Sequence, residues 1–212
     1  IRKQNKIIEN KEREALLQNI IISEQKYIVE EKQKEILDSI HYAKRIQSAL
    51  IANSKLIDEN LSENFVSFHP KDIVSGDFYW ATLHKDRFYF AVCDSTGHGV
   101  PGAFMSLLNM GFLSEAIKEK NIEKPNEIFD YVRERLVNSI STEGQKDGMD
   151  GVLLCYDKKK NTYEYAAANN EPVLVRNGTV TELAKDKMPV GKGERSEKFT
   201  VHQLDLQKGD VL

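Results

Sequence analysis

The sequence predicts an α+β domain, with helices layered on an antiparallel sheet, behind a long N-terminal helix. Three observations carry that expectation. Residues 1–52 contain neither Gly nor Pro and are dense in Glu, Lys, Gln and Ile, which favours one unbroken helix over a globular mixture. Beyond Phe65 the chain changes to short apolar runs divided by turns, the texture of strands and hairpins. The order there is two strands, two helices and then more strands, and not the strand–helix alternation that builds a parallel α/β sheet.

Within the helix, Ile8, Ala15, Ile22, Val29, Ile36, Ala43 and Leu50 recur every seventh residue, the period that makes helices supercoil around one another. The complementary column reads Glu12, Asn19, Lys26, Gln33, Ile40 and Gln47, so the seam is half polar. Residues 1–55 are therefore expected to form a coiled-coil linker that dimerises the chain, with a solvated spacer helix as the alternative. Near its end, Ile36, Ile40, Ala43, Ile46, Ala49 and Leu50 broaden the apolar stripe, as where a linker begins to pack on a domain. His41 is read as a surface or interface position.

In residues 56–212, "DFYWATL" and "RFYFAVC" around "HKD" predict a hairpin. "VPGAFMSLLNMGFLSEAIKEK" predicts a helix apolar over most of its circumference, with Pro101 in the first turn, where proline is tolerated. "KPNEIFDYVRERLVNSI" predicts an amphipathic helix with Ile128, Phe129, Val132, Leu136 and Ile140 on one face. The strands "GVLLCYD" and "TYEYAAA" follow across "KKKN", then "PVLVR" and "VTEL" across "NGT". The Asn-Gly pair supplies the positive φ of a tight hairpin.

Bulk properties exclude several classes. The chain has 30 Lys and Arg against 33 Asp and Glu, a net charge of −3, with none of the basic excess of a nucleic-acid binder. Cys93 and Cys155 both lie in apolar runs and are expected to pack as small hydrophobes. No secretory signal and no apolar run of about 18 residues is recognised, so a cytoplasmic location is expected, within a larger and membrane-linked sensor protein as one arrangement. The start at Ile1 and the stop at "GDVL" read as a piece of a longer protein.

The chemistry is expected at "AVCDSTGHGVPG". Asp94 ends an apolar strand, so a rigid element would hold its carboxylate at the sheet rim. Gly97, Gly99 and Gly102 remove bulk from the turn that follows, letting backbone approach a ligand, and the next helix presents its N-terminus to anions. Alone this is a weak signal, because the Gly-Lys-Ser/Thr of a phosphate-binding loop is absent. Upstream, "VSGDFYW" places Asp77 at the start of the neighbouring strand. Two carboxylates on adjacent strands suit hard cations such as Mg²⁺ or Mn²⁺. Asp147 and Asp150 in "KDGMDG" are read as a solvated turn without the ladder of a calcium loop, and Asn169 and Asn170 as turn residues.

Taken in order, "SGDFYW", "AVCDSTGHGVPGAFMS", "DGMDGVLLCYD", "YEYAAANNEPVLVRNG" and "KMPVG" resemble the SpoIIE/RsbU-type branch of the PPM (protein phosphatase 2C-like) metal-dependent Ser/Thr protein phosphatases. The resemblance runs from about Phe65 to Leu212, and the lead-in "DSIHYAKRIQ" is similar to segments joining such domains to bacterial sensor modules. It implies an antiparallel β-sandwich flanked by helices, two Mn²⁺ or Mg²⁺ ions, and hydrolysis of phosphoserine or phosphothreonine without a phosphoenzyme. Asp94 would bridge the ions, Ser95 would lend its main-chain carbonyl, and Asp77 would serve the second ion. Gly97, His98 and Gly99 would form the turn beside the phosphate. His98 is read as a turn-stabilising residue, with a proton donor as the alternative. The partner implied is a phosphoprotein such as a STAS-type anti-anti-sigma factor. The family's remaining metal aspartates lie beyond "GDVL", so the domain is expected to be C-terminally truncated and weakly active at most. The rival expectation is a pseudophosphatase that binds a phosphoprotein without turnover.

Overall fold

The computed structural model describes residues 2–51, 54–61, 63–140 and 147–212. The chain divides into two compact units, Ile1–Ala43 and Lys44–Leu212. The first is the bulk of helix α1 (Arg2–Leu50). Its heptad positions Ile8, Ile22, Val29 and Ile36 are all exposed in the single chain. Among the described residues of α1, Gln47 alone is buried, and it lies in the second unit.

The second unit continues through α2 (Ser54–Asp58), the hairpin β1 (Asp77–His84) and β2 (Arg87–Ser95), and α3 (Gly99–Ser114). A π-helical turn at Glu115–Glu119 leads to α4 (Pro125–Ser139). Strands β3 (Gly148–Asp157), β4 (Thr162–Ala168), β5 (Val173–Arg176), β6 (Thr179–Glu182), β7 (Val190–Gly191) and β8 (His202–Leu204) complete it. Strands β1-β2-β3-β4-β8 form one antiparallel path, with β7 paired to β3, while β5 and β6 form a separate two-stranded sheet. This last hairpin is turned by Asn177 and Gly178 at positive φ, as the Asn-Gly signature requires.

Helices α3 and α4 cover one sheet face. Leu113, Ile117, Phe129 and Leu136 are fully buried against strand residues that include Phe78, Tyr89 and Leu153. Cys93 and Cys155 are buried and unbridged, as expected. The stretch Gly99–Glu119 does have the length and composition to cross a membrane, unlike the sequence expectation, and 56% of its most apolar window is buried in the protein. One face of it packs on the sheet and α4, while Phe104 and Leu108 on the other face are exposed.

One expectation fails at "KDGMDG". Gly148, Met149 and Asp150 are not a solvated turn but the first residues of β3. The reason is close backbone approach on both sides. A Cβ at Gly148 would lie 2.7 Å from the Val190 carbonyl oxygen, and one at Gly151 would lie 2.4 Å from that of Val92. Glycines that mark a turn in sequence here admit neighbouring strands.

Candidate metal centre

The register of three strands builds a row of carboxylates. Asp77 stands opposite Asp94, and Asp94 stands opposite Asp150, so three acidic residues cross one rim of the sheet on the same face, with neighbouring Cβ atoms about 5 Å apart. Strand alternation sends Asp94 outward while Cys93 and Ser95 point into the core. The Asp94 carboxyl is pushed up to about 6, first by partial desolvation, then by its hydrogen bond with Asp77 and the negative charges of Asp77 and Asp150. Carboxylates that disfavour one another's ionisation gain from a nearby positive charge, and an oxygen-only donor set suits Mg²⁺ or Mn²⁺.

The backbone beside this row is opened by glycines. A Cβ at Gly76 would stand 2.5 Å from the Gly97 carbonyl oxygen and 2.9 Å from that of Ser95, and one at Gly102 would stand 2.4 Å from the Gly97 oxygen. Gly97 and Gly99 themselves take φ values of 93° and 58°, which side chains disfavour. The segment before β1, the turn after β2 and the first turn of α3 thus cross at near-contact, and only glycine lets them. The close crossing brings the Ser95 carbonyl beside the start of β1, and carbonyl and carboxylate oxygens together are a donor set that fits a divalent cation. Among the described residues, no three His, Cys, Asp or Glu side chains close around a single point, so the carboxylates form a row and not a cage.

The structure therefore brings Asp77, Asp94 and Ser95 together with Gly97. His98 caps α3 from an extended backbone, and its exposed ring places Nδ1 3.3 Å from Asp72 Oδ2. That contact ties the turn to the segment preceding β1.

Three residues escaped the sequence reasoning. Asp150 joins the row and accepts a 2.8 Å hydrogen bond from Asn169 Nδ2. Asn169 has φ 57° and so is a turn residue, as expected, but one whose amide also holds the third carboxylate. Gln47 is the second. Its Nε2 donates to the Ser75 carbonyl (2.6 Å) and to Ser106 Oγ (2.8 Å), and its Oε1 accepts the Ser75 N–H (3.1 Å). A glutamine set among Ile40, Ala43, Ile46 and Leu50 was the available signal. The third is Asn109, fully buried in the apolar α3.

An antiparallel sheet with paired helices on one face and aspartates in register at its rim defines a PP2C-like domain. The solved SiaA-PP2C domain of Pseudomonas aeruginosa superposes with a TM-score of 0.73 at 27% identity, over 84% of this chain and 70% of that one. Residues 84–212 match the family described as Stage II sporulation protein E (SpoIIE), and the chain belongs to that family of PP2C-type phosphatases. The fold is shared with the RsbU and RsbW domains of a Mycobacterium tuberculosis protein (TM-score 0.53, 23% identity, 65% of this chain and 37% of that one). It is shared also with the phosphatase domain and regulatory fragment of SpoIIE from Bacillus subtilis (TM-score 0.50, 20% identity, 65% and 39%). The chain thus spans well under half of those two structures. No curated protein gives a match.

Proposed function

We propose that this chain is the catalytic part of a Mn²⁺- or Mg²⁺-dependent phosphatase that hydrolyses phosphoserine or phosphothreonine on a bacterial signalling protein. The observation that carries the reading is the in-register row of Asp77, Asp94 and Asp150 across three strands at one rim of the sheet. Asp94 would hold both ions, Asp77 the second, and Ser95 would contribute its main-chain carbonyl. Bound there, two divalent cations would supply a water of lowered pKa and neutralise the phosphoryl oxygens. The protein's own part is to fix the carboxylates on paired strands, to keep the Gly97–Gly99 turn bare for close approach, and to aim the N-terminus of α3 at the anion.

The same reading assigns regulation to the N-terminal helix. Gln47 grips Ser75 immediately before Gly76 and Asp77, so movement of the end of α1 would be felt at the rim. The exposed heptad residues Ile8, Ile22, Val29 and Ile36 support dimerisation through the rest of that helix. The phosphoprotein partner would be of the STAS type, in line with the RsbU and RsbW domains of the structural relative, and the setting would be the cytoplasm.

A pseudophosphatase is the second reading, favoured by carboxylates that line up without closing around a point. One experiment separates the two: Mn²⁺-dependent phosphate release from a phosphoserine protein by the full-length protein, with Asp94→Asn as control. Turnover that falls to background in the variant is expected. No turnover from folded, metal-supplied wild type would overturn the enzyme and leave the binding module.

A further inference from the structure

Asn109 is an anomaly in its helix. Helix α3 is apolar on nearly every side, yet Asn109 is fully buried within it, and so is Ser106 one turn earlier. Its Nδ2 donates to Ser95 Oγ at 2.9 Å, while its Oδ1 has no partner among the described residues. A buried amide oxygen left unpaired is costly, and any aliphatic side chain would avoid that cost. Folding alone therefore gives no reason for this residue. Among the described residues its one side-chain hydrogen bond is with the residue beside Asp94.

That contact completes a three-way restraint. The Ser95 N–H donates to the Gly76 carbonyl at 3.3 Å, on the β1 side. On the β3 side the Thr96 N–H donates to the Gly148 carbonyl at 2.9 Å, and the Thr96 hydroxyl and the Gly148 N–H also bond at 3.1 Å. The Ser95–Thr96 peptide is planar and trans, so an N–H aimed at β3 turns the Ser95 carbonyl toward β1, where Gly76 leaves room for it. Both restraints lie in the plane of the sheet. The bond from Asn109 comes from beneath and fixes the remaining freedom, the tilt of Ser95 out of that plane.

We propose that Asn109 is a positioning residue for the cation site: through the Ser95 hydroxyl it sets the Ser95 main-chain carbonyl as a ligand. This rests on the cation site proposed above. Groups that orient metal ligands without touching the ion contribute about tenfold or more to affinity.

The test is Mn²⁺ binding to the full-length protein, read as the free Mn²⁺ signal in electron paramagnetic resonance, alongside the melting temperature in EDTA. Asn109→Ala is expected to weaken Mn²⁺ binding by about tenfold in protein that is still folded. Ser95→Ala should weaken it by a similar factor, and the double variant should be no worse than the weaker single, because both remove one contact. A merely structural role would lower the melting temperature and leave the affinity of folded protein unchanged. That result, or losses that multiply in the double variant, would overturn the inference while the cation site stood. Should Asn109→Ala fail to fold, Asn109→Ser and Ser95→Ala probe the same contact. Wild type that takes up no Mn²⁺ would remove the site itself and the inference with it.

Discussion

Helices α1 and α3 solve opposite problems with similar residues. Helix α3 is short, and eight of its sixteen residues are buried within one chain. Helix α1 is three times as long, carries Ile22, Val29 and Ile36 at 59%, 62% and 60% exposure, and buries only Gln47. An apolar residue is a contribution to stability only where something covers it. Helix α3 is stabilised by its own chain, whereas that chain leaves the apolar seam of α1 uncovered.

The largest effect should therefore come from α3. Replacing Leu113, fully buried in the core, by Ala should cost about 2–5 kcal/mol, seen as a lowered denaturation midpoint of the globular unit. Replacing both Ile22 and Val29 by Asp should leave that midpoint where it is and convert a dimer to a monomer in sedimentation. A shifted midpoint with unchanged mass would break the comparison.

Gln47 is the point where the contrast narrows, since it belongs to α1 but is buried like a residue of α3. Gln47→Ala removes the side-chain partners of the Ser75 N–H and carbonyl, at about 1–3 kcal/mol, while the Ser106 hydroxyl keeps its bond to the Ala103 carbonyl. Thermal unfolding should register that loss, and phosphate release should fall although no residue of the carboxylate row has changed. Wild-type turnover in a destabilised variant would assign Gln47 to packing alone.

The smallest effect is that of pH on the metal-free protein. The Asp94 carboxyl is held up to about 6 in the folded chain, against an ordinary value near 3.9 for the unfolded chain. A raised carboxyl favours folding below the ordinary carboxylate range, and that contribution is lost as pH rises through about 6. In EDTA, wild type should therefore lose melting temperature relative to Asp94→Asn between pH 5 and pH 7.5. A constant difference across that interval would show that the Asp94 carboxyl is not held above the ordinary range.

The parts of the site that were legible in sequence were those made by neighbours in the chain. Asp94 ends an apolar run, Gly97 and Gly99 follow within five residues, and Pro101 stands inside the first turn of the next helix, so strand end, turn and helix start could be placed by local rules alone. Asp77 came with its hairpin, because a short turn sets the register of the strands it joins. Asp150 was lost because its partner Asp94 lies two helices earlier, and a stretch with two glycines reads as a turn until another strand is seen to need the space.

Periodicity and turn chemistry within a few residues specify the long helix and its heptads, the two hairpins, the buried cysteines and an aspartate at a strand end. Long-range packing alone sets Asp150 beside Asp94, brings Gln47 to Ser75 and lays Asn109 beneath Ser95. The physical reason is range. Side-chain period and turn preference act over one or two turns of chain, whereas these three contacts join residues brought together by sheet register and helix packing, which no local pattern encodes.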